Sequence, residues 1–125
     1  MIFLKTILWS ASMDRSSFIN IVEIRNALGL SQERFGQLLG VSGRSVIRWE
    51  KTNTSPDRQE QRALLDKLQE VIKFGLRVYT PKGLHEFLFT RLPEFNGKTP
   101  FQMILINEHD AVLGALSADY EGLGS

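Results

Sequence analysis

Between Gln32 and Trp49 the chain places small, capping and apolar residues at intervals that leave little freedom in how it folds. Counting from Gln32, the fifth residue is Gly36, where two short helices crossing steeply come closest and a large side chain collides. The ninth is Gly40, and a glycine there accepts the positive φ that a sharp turn between helices demands. The fifteenth is Val46, which joins Phe35, Leu39, Val41 and Trp49 in an apolar plug that fixes the crossing angle. Ser31 is placed to cap a helix from Gln32 to Leu39, and Ser42 to cap another that runs to about Lys51. The competing reading, a plain helical hairpin in an all-α core, requires none of these steric coincidences.

The rest of the pattern is also helical, so the fold class is all-α. From Ser16 onward, Phe18, Ile21, Val22 and Arg25 to Leu28 recur at helical spacing, and Gly29 closes the segment. Thr52 to Pro56 reads as a loop in which Ser55 caps, and Pro56 opens, a long fourth helix. Leu64, Leu65, Leu68, Val71, Ile72, Gly75 and Leu76 form its apolar stripe. Thr80-Pro-Lys-Gly83 breaks the pattern and marks a boundary, followed by a helix from Leu84 to about Thr90. Leu92 to Gly97 is turn-rich, Thr99 caps and Pro100 opens a helix through about Ile106, and Ala111 to Tyr120 forms the last one. Asn107 to Asp110 reads as a polar turn between them.

Three segments follow from this: 1–13, an arm or an upstream-start extension with Met13 as the true start; 14–82, the crossed-helix unit with its long linking helix; and 83–125, a small helical domain. The opening Met1 to Trp9 is apolar, but Lys5 interrupts it and it falls far short of the ~20 residues that span a bilayer. It also fits a signal peptide poorly. Net charge is only +1, yet residues 14–82 hold 12 Lys and Arg against 8 Asp and Glu, while residues 83–125 hold 2 against 6. The basic part suits a polyanion, and the acidic part is repelled by phosphate and faces something else. With no cysteine, disulfides, thiolate zinc sites and cysteine nucleophiles are excluded, which fits a reducing, cytoplasmic setting.

Gly29-Leu-Ser-Gln32, Leu39-Gly-Val-Ser42, Arg48-Trp-Glu50 and Ser55-Pro56 resemble the phage-repressor-like (Xre) helix-turn-helix family over residues 17 to about 60. The departure is Gly36, where that family commonly has alanine. The resemblance implies duplex DNA as partner, with the helix after Ser42 lying in the major groove. Arg44 and Ser45 then stand where side chains reach base edges, and Arg48 reaches a base or a phosphate one turn later. Gln32 and Ser42 lie at helix N-termini that favour phosphate, and Lys51 and Asn53 follow as further phosphate contacts. Glu50 is expected to be a structural partner for a nearby arginine. Repressors of this kind place two reading helices one DNA turn apart, so a homodimer or larger assembly is expected.

In the acidic part, Leu84-His-Glu-Phe-Leu88, Leu92-Pro-Glu-Phe-Asn-Gly97, Lys98-Thr-Pro-Phe101 and Gly122 resemble the toxin-binding domain of Xre/MbcA/ParS-type antitoxins. Phe87 stands where that family often shows tryptophan, and the last helix lacks its frequent basic residue. The resemblance implies a cognate toxin as partner, gripped by Glu94, Asn96, Gly97, Thr99, Pro100, Asp119, Tyr120, Glu121 and Gly122. Residues 119–125 are expected to be a free tail, and residues 84–125 to be dispensable for folding of Gln32 to Trp49. Phe87, Leu88, Phe95, Phe101 and Leu105 are expected in the core.

Together these imply an antitoxin that neutralises its toxin and represses its own operator. The alternative is a DNA-binding regulator whose C-terminal part only oligomerises or senses a ligand. Neither His85 nor His109 has a second ligand at helical spacing, so no metal is expected, and no Gly-rich phosphate loop with lysine occurs. No cofactor and no membrane partner is expected. Without a convergent site, no catalytic residue and no enzyme activity is expected.

Overall fold

The computed structural model describes residues 19–124, with side chains to Gly122. The N-terminal arm of residues 1–13 and the expected helical start at Ser16 lie outside the described residues. The described residues form α1 (Ile21–Leu28), α2 (Gln32–Leu39), α3 (Gly43–Thr52), α4 (Gln59–Val78), α5 (Pro81–Leu88), α6 (Pro100–Leu105) and α7 (His109–Gly124). A 3-10 turn at Pro93–Phe95 links α5 to α6. The only strand-like pairing described is an isolated bridge between Leu92 and Lys98. The all-α expectation holds, and no helix among the described residues is long and apolar enough to cross a membrane.

Helix ends follow local chemistry where a polar side chain is free to cap, and depart from it where that side chain is engaged elsewhere. Asn20 is non-helical and its Oδ1 accepts from Glu23 N at 3.0 Å, so α1 begins at Ile21. Its own N–H donates to Gln69 Oε1 at 2.8 Å, which pins the helix start against α4. Thr80 caps α5 through Gly83 N, and Thr99 with Gln102 forms a reciprocal capping box on α6. Pro81 therefore opens a helix where a break followed by a start at Leu84 was expected, and the 82/83 boundary falls inside α5. At Ser55-Pro56 the reverse holds. Arg62 Nη1 donates to Ser55 Oγ at 3.0 Å and to Pro56 O at 3.2 Å, Pro56 is buried in the loop, and α4 starts only after Arg58. The last helix is longer than expected, taking in His109 and Asp110 from the supposed turn.

The core runs without interruption through the molecule. Ile24, Leu28, Phe35 and Val46 from the first three helices join Leu65, Leu68, Val71 and Ile72 of α4. Leu84, Leu88, Ile104, Val112 and Leu116 of the last three helices join the same cluster, each nearly or fully buried. The long helix α4 is the shared spine, packing on α1, α5, α6 and α7. Its Gly75 allows the closest approach, since a Cβ there would press well inside van der Waals distance of Leu84 Cδ1. Phe95 is buried as expected, but Leu105 is exposed at the end of α6.

Candidate nucleic-acid interface

The turn between α2 and α3 is built by glycine geometry. Gly40 closes α2 with φ +74°, and Val41 N donates to Gly36 O at 2.8 Å across the turn. A Cβ on Gly36 would sit 2.8 Å from Val41 O, so α2 and the turn into α3 meet more closely than an alanine comfortably allows. Phe35, Leu39, Val46 and Trp49 fill the angle between the helices, with Phe35 and Val46 fully buried. Gln61, a buried polar residue of α4, donates from Nε2 to Leu39 O at 2.7 Å and satisfies a carbonyl at the open end of α2.

The orientation of α3 is fixed by a charged clamp. Arg25 Nε meets Glu50 Oε2 at 2.6 Å, Arg25 Nη2 donates to Glu50 Oε1 at 3.2 Å, and Arg25 Nη1 donates to Leu30 O at 3.1 Å. Gln32 Nε2 completes it on Glu50 Oε1 at 2.9 Å. The arginine hydrogen bond holds the Glu50 carboxyl below its ordinary pKa, burial opposes that shift, and the Gln32 amide adds to it. The expected role of Glu50 as an arginine partner is what the geometry shows. Gln32, expected at a phosphate, has its side chain engaged in this clamp.

With its acid turned inward, α3 presents a cationic outer face. Successive residues turn by about 100°, so Arg44, Arg48 and Lys51 form one stripe opposite Val46 and Trp49, and all three are exposed. None of the three pairs with a carboxylate among the described residues. Ser42 caps the helix by accepting from Ser45 N at 3.3 Å, and the two serine hydroxyls are 3.5 Å apart. Ser45 is therefore half-buried on the flank of the stripe, restrained by the cap. Asn53 ends α3 in the left-handed conformation at φ 57° with its side chain exposed. Sequence reasoning passed over Ile47, which shares the outer face and is 45% exposed. The signal was its spacing, three residues after Arg44 and four before Lys51.

The C-terminal candidates belong to two stretches, the turn leading into α6 and the end of α7. Thr99 and buried Pro100 are taken up in starting α6, and half-buried Gly97 adopts φ +83° beside Asn96 at φ 57° in the turn before it. Glu94 and Asn96 are exposed at that turn. Asp119 to Gly122 are exposed, but they form turns of α7 rather than a free tail. Tyr79 OH donates to Asp119 Oδ2, and Tyr120 lies 6.4 Å from the Phe74 ring, which ties this end of α7 to α4. Burial first, then the Asp119 carboxylate, pushes the Tyr79 phenol up to about 12. No cluster of metal-ligating side chains occurs among the described residues.

Residues 21–70 match the family model described as Helix-turn-helix, where the α2–α3 geometry stands. No curated protein matches the sequence. Among solved structures, the chain is similar to one in the crystal structure of the M. tuberculosis MbcT–MbcA toxin–antitoxin complex. The TM-score is 0.65 at 22% sequence identity, covering 82% of this chain and 91% of that one. Such coverage extends beyond residue 70, so the shared fold includes helices from both halves.

Proposed function

Starting from a helix-turn-helix domain at residues 21–70, we propose that the chain is the antitoxin of a type II toxin–antitoxin pair. It represses its own operator through α3 and neutralises a toxin enzyme through its C-terminal helices. The observation that carries this reading is the fold shared with a chain of a toxin–antitoxin complex across both halves of the molecule. The cationic outer face of α3 supports the DNA role, with Arg44 and Arg48 toward bases and Lys51, Asn53 and the α2 and α3 N-termini toward phosphates. The exposed side chains of Glu94, Asn96, Tyr120 and Glu121 are the toxin-contact set. Two recognition helices ~34–36 Å apart on a pseudo-palindrome require a dimer. A monomeric mass at micromolar concentration with undiminished operator affinity would rule that assembly out.

The test is co-expression of the neighbouring gene product with the full chain and with a chain carrying Glu94→Ala and Asn96→Gly, exposed positions outside the core, where glycine keeps the positive φ of residue 96. Growth, co-purification and repression of a reporter carrying the upstream DNA are scored separately. The antitoxin reading expects the neighbour to be toxic alone, rescued by the full chain and poorly rescued by the substituted one, with repression retained. A harmless neighbour overturns it. A plain ligand-sensing regulator then takes its place, a reading favoured by the mostly apolar cleft of about 230 Å³ between α1, α4 and α5, lined by Glu23, Asn26, Ala27, Leu76, Pro81 and Leu84.

A further inference from the structure

We infer that Ile47 recognises the C5-methyl group of a thymine in the major groove, making it a specificity-determining residue of α3. This rests on the DNA-binding reading above and adds to it the base that the helix selects. Ile47 is 45% exposed, whereas Val46 and Trp49, the other large apolar residues of α3, are almost wholly buried. It does not belong to the core cluster. Its neighbours on the outer stripe are Arg44, Arg48 and Lys51, none paired with an acid among the described residues, while Glu50 is turned into the Arg25 clamp.

An isolated aliphatic side chain amid three cations matches one occupant closely. Phosphates beside the groove complement Lys51, base edges accept hydrogen bonds from the two arginines, and the apolar feature that the major-groove edges of bases offer is the thymine methyl. A branched aliphatic side chain has no hydrogen-bonding group with which to read guanine, cytosine or adenine edges. Ile47 therefore discriminates by burying a methyl group, and the arginines beside it discriminate by hydrogen bonds. Ser45, half-buried on the flank with its hydroxyl 3.5 Å from that of Ser42, is a polar neighbour and offers no apolar surface of comparable size.

The experiment uses the full chain. Preferred sites are selected from a randomised duplex pool, and each thymine of the best site is then replaced in turn by uracil, which removes only the methyl. Wild type should lose roughly 4-fold in affinity at one thymine per half-site, the size expected for one buried methyl-sized group. Ile47→Ala should bind the thymine site with a similar loss and be indifferent to uracil at that position. The replacement lies on an exposed helical face and alanine favours helix, so folding is not at stake, and an unchanged thermal melt verifies that. If no thymine is sensitive to uracil, or if Ile47→Ala retains wild-type sensitivity, Ile47 does not read a methyl, although a selected consensus would leave DNA binding standing. If the pool yields no bound sequence, the DNA-binding reading fails and this inference fails with it.

Discussion

Glu50 and Arg44 lie on the same short helix, and their different surroundings separate a structural role from the reading role proposed for Arg44. Arg44 is solvent-facing with no acid partner among the described residues, whereas Glu50 is held by Arg25 and Gln32. Arg44→Ala should cost ~1–3 kcal/mol on the specific site and relax preference at one base position, while Lys51→Ala weakens all sequences alike and lowers the salt dependence. Fluorescence anisotropy on specific and scrambled duplexes separates the two. Glu50→Gln should destabilise the fold by ~1–3 kcal/mol, since it weakens charge-assisted bonds to a partly buried guanidinium. Because the folded carboxyl is held below its ordinary pKa, this contribution is complete above the usual glutamate range and fades as pH falls through and below it. Denaturant midpoints of wild type and variant should therefore converge in acid, and a gap unchanged with pH would refute the charge argument.

Three hydroxyl-proline pairs show what an element reveals of itself before folding. Thr80-Pro81 and Thr99-Pro100 start helices, yet Ser55-Pro56 does not, because Arg62 occupies both the Ser55 hydroxyl and the Pro56 carbonyl. The hydroxyl-proline pair is common to all three, Gln102 adds a capping box at Thr99, and at Ser55 a contact from the following helix engages the hydroxyl. The helix-turn-helix was legible because its constraints lie within Gln32 to Trp49: Gly36 for close approach, Gly40 for positive φ, and serines for caps. The links Gln61 to Leu39, Gln69 to Asn20 and Tyr79 to Asp119 were not legible, since each joins polar groups far apart in sequence. For the same reason the sequence led us to expect a free tail where α7 packs on α4. At the α4–α5 contact, Gly75→Ala should gain up to ~1 kcal/mol of helix propensity but lose more to collision with Leu84, for a net cost of about 1–2 kcal/mol. A melting temperature at or above that of wild type would show that Leu84 moves aside freely.

For the whole molecule, the charge division between halves does not coincide with a division of the core. A chain ending at Lys82 forfeits Leu84, Leu88, Ile104, Val112 and Leu116, all nearly or fully buried, and exposes the apolar side of α4. Each such side chain is worth ~1.5–3 kcal/mol, so their joint loss is comparable to the ~5–15 kcal/mol that holds a typical domain together. That truncation should therefore show little residual helicity by circular dichroism, contrary to the separable domains that the sequence suggests. A cooperative melt like that of the full chain would restore them. The continuous core also bears on how long the protein lasts in a cell. Where proteases act on the open form, any ligand that binds only the folded chain reduces the population exposed to cleavage, wherever on the surface it binds. A partner seated on the C-terminal helices would thus prolong the life of α3 without touching it, and its departure would hasten turnover of the whole molecule at once.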